Sequence, residues 1–331
     1  MKTNFIKLGL LFLAMVSFSS CITEVDLPSE VAQTPPTASE FKALETAALE
    51  DLTQNFQFIA ENGTATFTSI KGVTISIFPG CMTLNGNPVT GTVDLEYIEI
   101  FDKGTMAVTN KPTMGRMDNG NLSLLISGGE FYINAKQNGQ QLQINCGINL
   151  MIPTALTNGF DPEMTLWKGI VENDSLVWEE MDNEDGENGV GGGENPNGGE
   201  GGMFYNAYFG NFGWTNVDRF YLDPRPKTTL LVDVPEGYDN QNSAVYLSYD
   251  GEGNALAKLD TYTNEGYFSE HYGMLPIGLA CHAIFVTEED GQFRYAIKAV
   301  TIQANQIITF TLAETVTGTE QNLVDAINAI Q

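Results

Sequence analysis

Only two histidines, His271 and His282, occur in the 331 residues, and fifteen lysines and arginines stand against forty-two aspartates and glutamates, a formal net charge of −27. So few basic residues exclude a nucleic-acid binder, because phosphate backbones are held by Lys and Arg and repel an acidic chain. The same balance excludes adsorption to anionic lipid headgroups. The sequence also lacks H-E-x-x-H, G-x-S-x-G, a P-loop and C-x-x-C, the spacings that would announce a metalloprotease, an α/β-hydrolase, a nucleotide site or a dithiol. Ser39-Glu40-Phe41-Lys42 fits S-x-x-K, but it has no partner motif and sits near a tether. No cofactor and no metal site follows from any of these patterns.

Long apolar runs are missing as well. The longest, Leu8–Phe18, is broken only by Gly9 and Ser17 and falls short of the roughly 20 residues that span a bilayer. Lys2 and Lys7 precede it, and Ser19-Ser20-Cys21 ends it. A charged start, an apolar core and a small-residue end describe a secretory signal. Cys21 after small residues resembles a bacterial lipobox, although Phe18 stands where Leu is usual. The resemblance implies that residues 1–20 are removed, that Cys21 is lipidated, and that the chain is anchored in the outer membrane. The alternative is ordinary signal cleavage before an incidental cysteine. Residues 21–37 are polar, proline-bearing and aperiodic, as expected of a tether.

Four cysteines are present. With Cys21 assigned to lipid, Cys81 and Cys146 are able to bridge in an oxidising envelope, and Cys281 has no obvious partner. The alternative is three buried free thiols.

Thr37-Ala-Ser-Glu40 reads as a capping box before Phe41, Leu44, Ala48 and Leu52, which predicts a short helix near 38–53. From Phe56 the period changes to two. Asn62-Gly63, Asn85-Gly86, Asn119-Gly120 and Asn138-Gly139 read as type I′ hairpin turns, as do Asp250-Gly251 and Asp290-Gly291 by the same logic. Short strands at this spacing predict an all-β chain of two β-sandwich domains. Residues 182–202 hold nine glycines and six acids, which predicts a flexible linker. The expected domains are 38–181 and 203–331, free to reorient, with a closing helix near 319–330.

"GVTISIFPGCMTLNGNPVTGTVDLEYIEI", residues 72–100, resembles a ZU5-like domain in its Pro79-Gly80 turn, Asn85-Gly86 and the strand after Gly91. Cys81 stands where the family usually has alanine. The resemblance covers about residues 60–155 and implies a β-sandwich used for protein–protein association, with no catalytic residues. The last strands more faintly resemble transthyretin-like accessory domains of envelope proteins.

"MFYNAYFGNFGWTNVDRFY", residues 203–221, carries eight aromatics. Most are expected in a strand core, while "GNFGWTN" reads as a turn from which Phe212 and Trp214 project. Tyr208, Phe212, Trp214 and Arg219 are therefore the candidate contacts for a ligand or partner. Glu270-His271 is weighed as an orienting pair, and a Cys281–His282 dyad is disfavoured because strand neighbours face opposite ways. The reading is a non-enzymatic envelope lipoprotein for protein interaction or adhesion. A carbohydrate-binding protein using these aromatics is the rival, and a hydrolase built on the histidines is the third class.

Overall fold

Alternating burial along short strands governs the architecture, which a computed structural model describes for residues 34–172, 175–182, 189–194 and 203–330. The signal segment, Cys21 and most of the tether lie outside these residues. Among the described residues the chain is all-β apart from short 3₁₀ turns and three α-helices, α1 (Ala38–Asp51), α2 (Lys103–Val108) and α3 (Glu320–Asn328).

The first lobe is built, in chain order, from β1 (Gln54–Ile59), β2 (Ala65–Thr68), β3 (Thr74–Ile77), β4 (Thr92–Ile100), β5 (Met114–Arg116) and β6 (Leu122–Gln137). It continues with β7 (Ile148–Pro153), β8 (Thr165–Glu172), β9 (Ser175–Glu180), β10 (Gly189–Glu194), β11 (Met203–Phe209) and β12 (Gly213–Phe220). One sheet has the order β1–β4–β6–β12–β8–β9–β5, and the facing sheet is β10–β11–β7–β3–β2. Their inner faces enclose fully buried Tyr97, Phe131, Ile133, Leu150, Tyr205 and Phe209. Cys81 and Cys146 form a disulfide with Cα atoms 5.4 Å apart. It lies beside a short ladder in which Gln143 and Ile144 pair with Thr83 and Met82.

The second lobe comprises β13 (Lys227–Asp233), β14 (Ser243–Tyr249), β15 (Ala257–Lys258), β16 (Thr261–Tyr262), β17 (Tyr267–Pro276), β18 (Ala280–Glu289), β19 (Gln292–Thr301), β20 (Gln306–Thr309) and β21 (Val316–Gly318). Its sheets are β16–β17–β13–β20 and β15–β14–β18–β19–β21.

Two expectations about organisation are corrected. The strands 203–209 and 213–220 belong to the first lobe, not the second. β11 pairs with β7 over six residues, and β12 lies between β6 and β8. The sixteen-residue β6 has β4 on one edge, and β12 supplies the other, so the first sandwich closes only with residues from beyond the acidic glycine-rich segment. Part of that segment is itself a strand, since β10 pairs with β11 from Gly189↔Tyr208 to Glu194↔Met203. A ladder is made by backbone groups, so glycines do not prevent it.

Nor are the lobes free to reorient; from Pro35 onward the chain is one unit. A seam cluster joins Ile98, Ile100, Trp178 and Trp214 of the first lobe to Tyr246, Leu256, Ile284 and Phe293 of the second, with α1 contributing Phe41 and Ala48. α1 carries the capping box expected of Thr37 and Glu40. α2 starts on Asp102, whose carboxylate accepts from the Thr105 amide, and it packs on α3. A Cβ at Gly104 would lie 2.6 Å from the Val324 carbonyl oxygen, so this approach requires glycine. Lys103 Nζ donates to the Ile330 carbonyl at 2.9 Å, and the Asn328 amide bridges the Gly104 amide and Asp102. The end of the tether is also held, because Asn242 donates to the Pro36 carbonyl at 3.0 Å.

The turns divide by geometry. Asn85-Gly86, Asn138-Gly139 and Asp290-Gly291 have positive φ at both positions, as a type I′ turn requires. At Asn62-Gly63, Asn119-Gly120 and Asp250-Gly251 only the glycine does.

Candidate binding face

From Phe204 onward β11 has alternating burial: Tyr205, Ala207 and Phe209 point inward, while Phe204, Asn206 and Tyr208 point outward. The same period runs across the neighbouring strands. Register places Tyr208 opposite Asn149, Asn149 opposite Ser76, and Ser76 opposite Thr66. One row along, Asn206, Met151, Thr74 and Thr68 are aligned, and Phe204 faces Pro153. Beyond Tyr208 and Phe204 the edge strand offers Gly189 and Gly193 at the paired positions.

The outward face of this sheet is thus made of amides, hydroxyls, two aromatic rings, Met151 and Pro153. It contains no charged residue, in a chain of net charge −27. Tyr208 is its most open ring, 37% exposed. A Cβ at Gly191 would meet nothing within 4 Å, so the face is unobstructed beside Asn206, its partner in the ladder. Among the described residues the side chains of Asn149, Asn206 and Tyr208 have no internal hydrogen-bond partner. They are free to offer amide and phenol donors and acceptors outward.

The other aromatics of residues 203–221 are placed differently from the expectation. Trp214 does not project; it is 8% exposed, its ring centroid 5.4 Å from Tyr132 and 6.4 Å from Trp178, with Lys111 Nζ over it at 5.5 Å. The loop between β11 and β12 is only three residues long, so Trp214 already lies on β12, opposite Tyr132 of β6, and faces the seam. Phe212 is half-buried and packs on the main core. Arg219 is an ion-paired strut: its Nε lies 2.6 Å from Asp161 Oδ2, and its guanidinium also donates to the Phe220 carbonyl. The structure brings neither Phe212, Trp214 nor Arg219 to the face that carries Tyr208.

The histidines stand apart from each other. His282 Nδ1 is 2.8 Å from Asp250 Oδ1, and His271 Nδ1 is 3.9 Å from Asp260 Oδ1 while its ring lies on Tyr272. Among the described residues no hydroxyl or thiol hydrogen-bonds to either ring. The Cys281 thiol is buried, and burial pushes it up to about 12, far from the thiolate a nucleophile needs.

Sequence reasoning missed a buried polar cluster where β6 meets β12. A bulge shifts the register between Asn216 and Asp218. Glu130 and Asp218 are both fully buried, and neither Glu130 oxygen has a partner. Asn216 donates to Asp218 Oδ2 at 2.5 Å and accepts from Ser127 Oγ at 3.0 Å. Burial, reinforced by the neighbouring Asp218, raises the Glu130 carboxyl well above the usual range. Burial likewise raises the Asp218 carboxyl well above the usual range, and its Oδ1 has no partner. No sequence signal marked Glu130, which sits in "GGEFYIN" like a turn residue.

Among the described residues no group of three or more His, Cys, Asp or Glu is arranged to hold a metal ion, and no helix is long and apolar enough to cross a membrane. No family model and no curated protein matches the chain.

Proposed function

We propose that this chain is a non-enzymatic, lipid-anchored protein of the bacterial envelope that binds saccharide on the outward face of the β10–β11–β7–β3–β2 sheet. The observation that carries the reading is the absence of charge from that face, combined with unengaged Asn149, Asn206 and Tyr208. Neutral sugars present hydroxyls and apolar ring faces, and amides beside an open aromatic ring match both. An open sheet face favours an extended chain over a single small molecule, which takes a concave site.

The test is binding of the full chain to immobilised amylose, mannan and laminarin, compared with Tyr208→Ala and Asn149→Ala. Saturable binding to one polysaccharide, lost in both variants with circular dichroism unchanged, supports the reading. Retention of the same polysaccharide by both variants removes it. The anchor is tested separately by metabolic labelling with a palmitate analogue, which Cys21→Ser must abolish.

A second reading, adhesion through a protein partner, is favoured by Phe204, Met151 and Pro153 on the same charge-free face, since interface centres are depleted of charge. It agrees with what the ZU5-like resemblance implies. Failure of every polysaccharide, together with a partner cross-linked through a photoreactive residue at position 208, would select it.

A further inference from the structure

A cleft of about 580 Å³ opens at the seam, between α1, the start of β9 and the β14–β15 edge of the second lobe, within the roughly 300–1,000 Å³ typical of ligand pockets. Lys258 stands in its wall, half-buried. Its Nζ donates to Asn110 Oδ1 at 2.9 Å and to Ser175 Oγ at 3.0 Å. Both acceptors are neutral, and among the described residues no carboxylate lies within ion-pair distance of this ammonium.

That is unusual placement in a chain with nearly three acids for every base. The acids nearby are otherwise engaged: Glu45 pairs with Lys42 at 3.2 Å, and Asp260 accepts from the Tyr272 hydroxyl at 2.7 Å. Asn110 is held in the left-handed region at φ 53°, and its Oδ1 also accepts from the Tyr246 hydroxyl at 3.0 Å. A strained, doubly employed asparagine positions the lysine head rather than neutralising it. Burial lowers the Lys258 ammonium to about 8, with Lys42 and Lys111 adding to the shift and Glu45 and Asp260 opposing it. An ammonium desolvated in this way gains when an anion arrives.

The lining also holds the Lys42–Glu45 ion pair and Asp260; its other polar groups, Ser39, Asn240, Gln241 and Ser243, supply hydroxyls and amides beside Phe41 and Phe268. We infer that this cleft binds a small polyhydroxylated carboxylate, of the sugar-acid class, with its carboxylate on Lys258 and its hydroxyls on the serine and amide wall. The site is separate from the outward sheet face, and the two are tested by different variants.

The experiment is calorimetric titration of the full chain with D-glucuronate, using D-glucose as the uncharged control. Saturable glucuronate binding is expected, weakened roughly tenfold or more by Lys258→Met, as loss of a charge-assisted hydrogen bond implies. Gln241→Trp, which adds bulk to the cleft lining and leaves Lys258 in place, is expected to weaken it similarly and decides the matter if Lys258→Met does not fold. Tyr208→Ala is expected to leave it unchanged, which distinguishes this site from the outward face. Equal binding of glucose and glucuronate, undiminished affinity in Lys258→Met and Gln241→Trp, or no saturable heat from either sugar overturns the proposal.

Discussion

The outward face of the β10–β11–β7–β3–β2 sheet and the seam between the lobes handle charge in opposite ways. The face is solvent-exposed and carries none, although exposed surface is where charge is cheapest to keep. The seam is buried and carries Lys103, Glu45, Glu130 and Asp218 at low exposure. Net charge therefore says little about where charges sit. The contrast separates two duties: the seam makes one body of two sandwiches, and the face remains free for recognition. Seam substitutions should accordingly move stability, and face substitutions binding.

The largest effect is expected at Trp214. Its replacement by alanine removes a ring packed against Tyr132 and Trp178 and should cost about 3–5 kcal/mol in urea unfolding. A loss below 1 kcal/mol would return Trp214 to the surface and break the contrast. Next comes the disulfide, which closes a loop across 65 positions. Replacing Cys81 and Cys146 by serine should cost about 2–5 kcal/mol, measured as a lower urea midpoint.

Glu130 sharpens the comparison through pH. Its folded carboxyl binds a proton more tightly than the unfolded one, so between the unfolded value and the raised folded value the native state holds more protons. Stability from this group is fullest at low pH and declines as pH rises through that window, by about 1.4 kcal/mol per unit. Glu130→Gln should flatten that decline and stabilise the protein at pH 7; an unchanged slope would mean that the carboxylate is charged in the fold. The smallest effect is expected at Tyr208, where alanine should change stability by less than about 0.5 kcal/mol, measured by the same unfolding curve.

Much of the fold was legible because its signals are local. The period of two from Phe56 onward, the capping box at Thr37 and the paired turn residues at Asn85-Gly86 and Asn138-Gly139 each act within a few residues. β17 is hard to read locally, since "YFSEHYGMLP" shows no clean alternation and a register shift between Thr228 and Leu230 interrupts its pairing with β13. The lobe boundary was misread for a different reason. Composition reports what a segment can bury, whereas β10 is held by its backbone ladder and β12 by the vacant edge of a strand some eighty residues earlier. The candidate face was half legible: Tyr208 was singled out, but its neighbours Asn149, Ser76 and Thr66 come from three other strands, and only register assembles them. Trp214 was misassigned because glycines on either side of Phe212 suggested a longer turn than the chain uses.

The contact between α2 and α3 bears on the order in which this molecule is made. Lys103 and Ile330, which hydrogen-bond there, are 227 positions apart. A chain emerging from its N-terminus synthesises α2 early and must wait for nearly everything else before α3 arrives to cover it. Until then the seam side of α2, with Met106 and Val108, has no partner from the C-terminal end, and loops of this length make for slow closure. α2 is thus covered by a helix that follows it by more than two hundred positions, and a chain that lacks α3 leaves α2 without that cover.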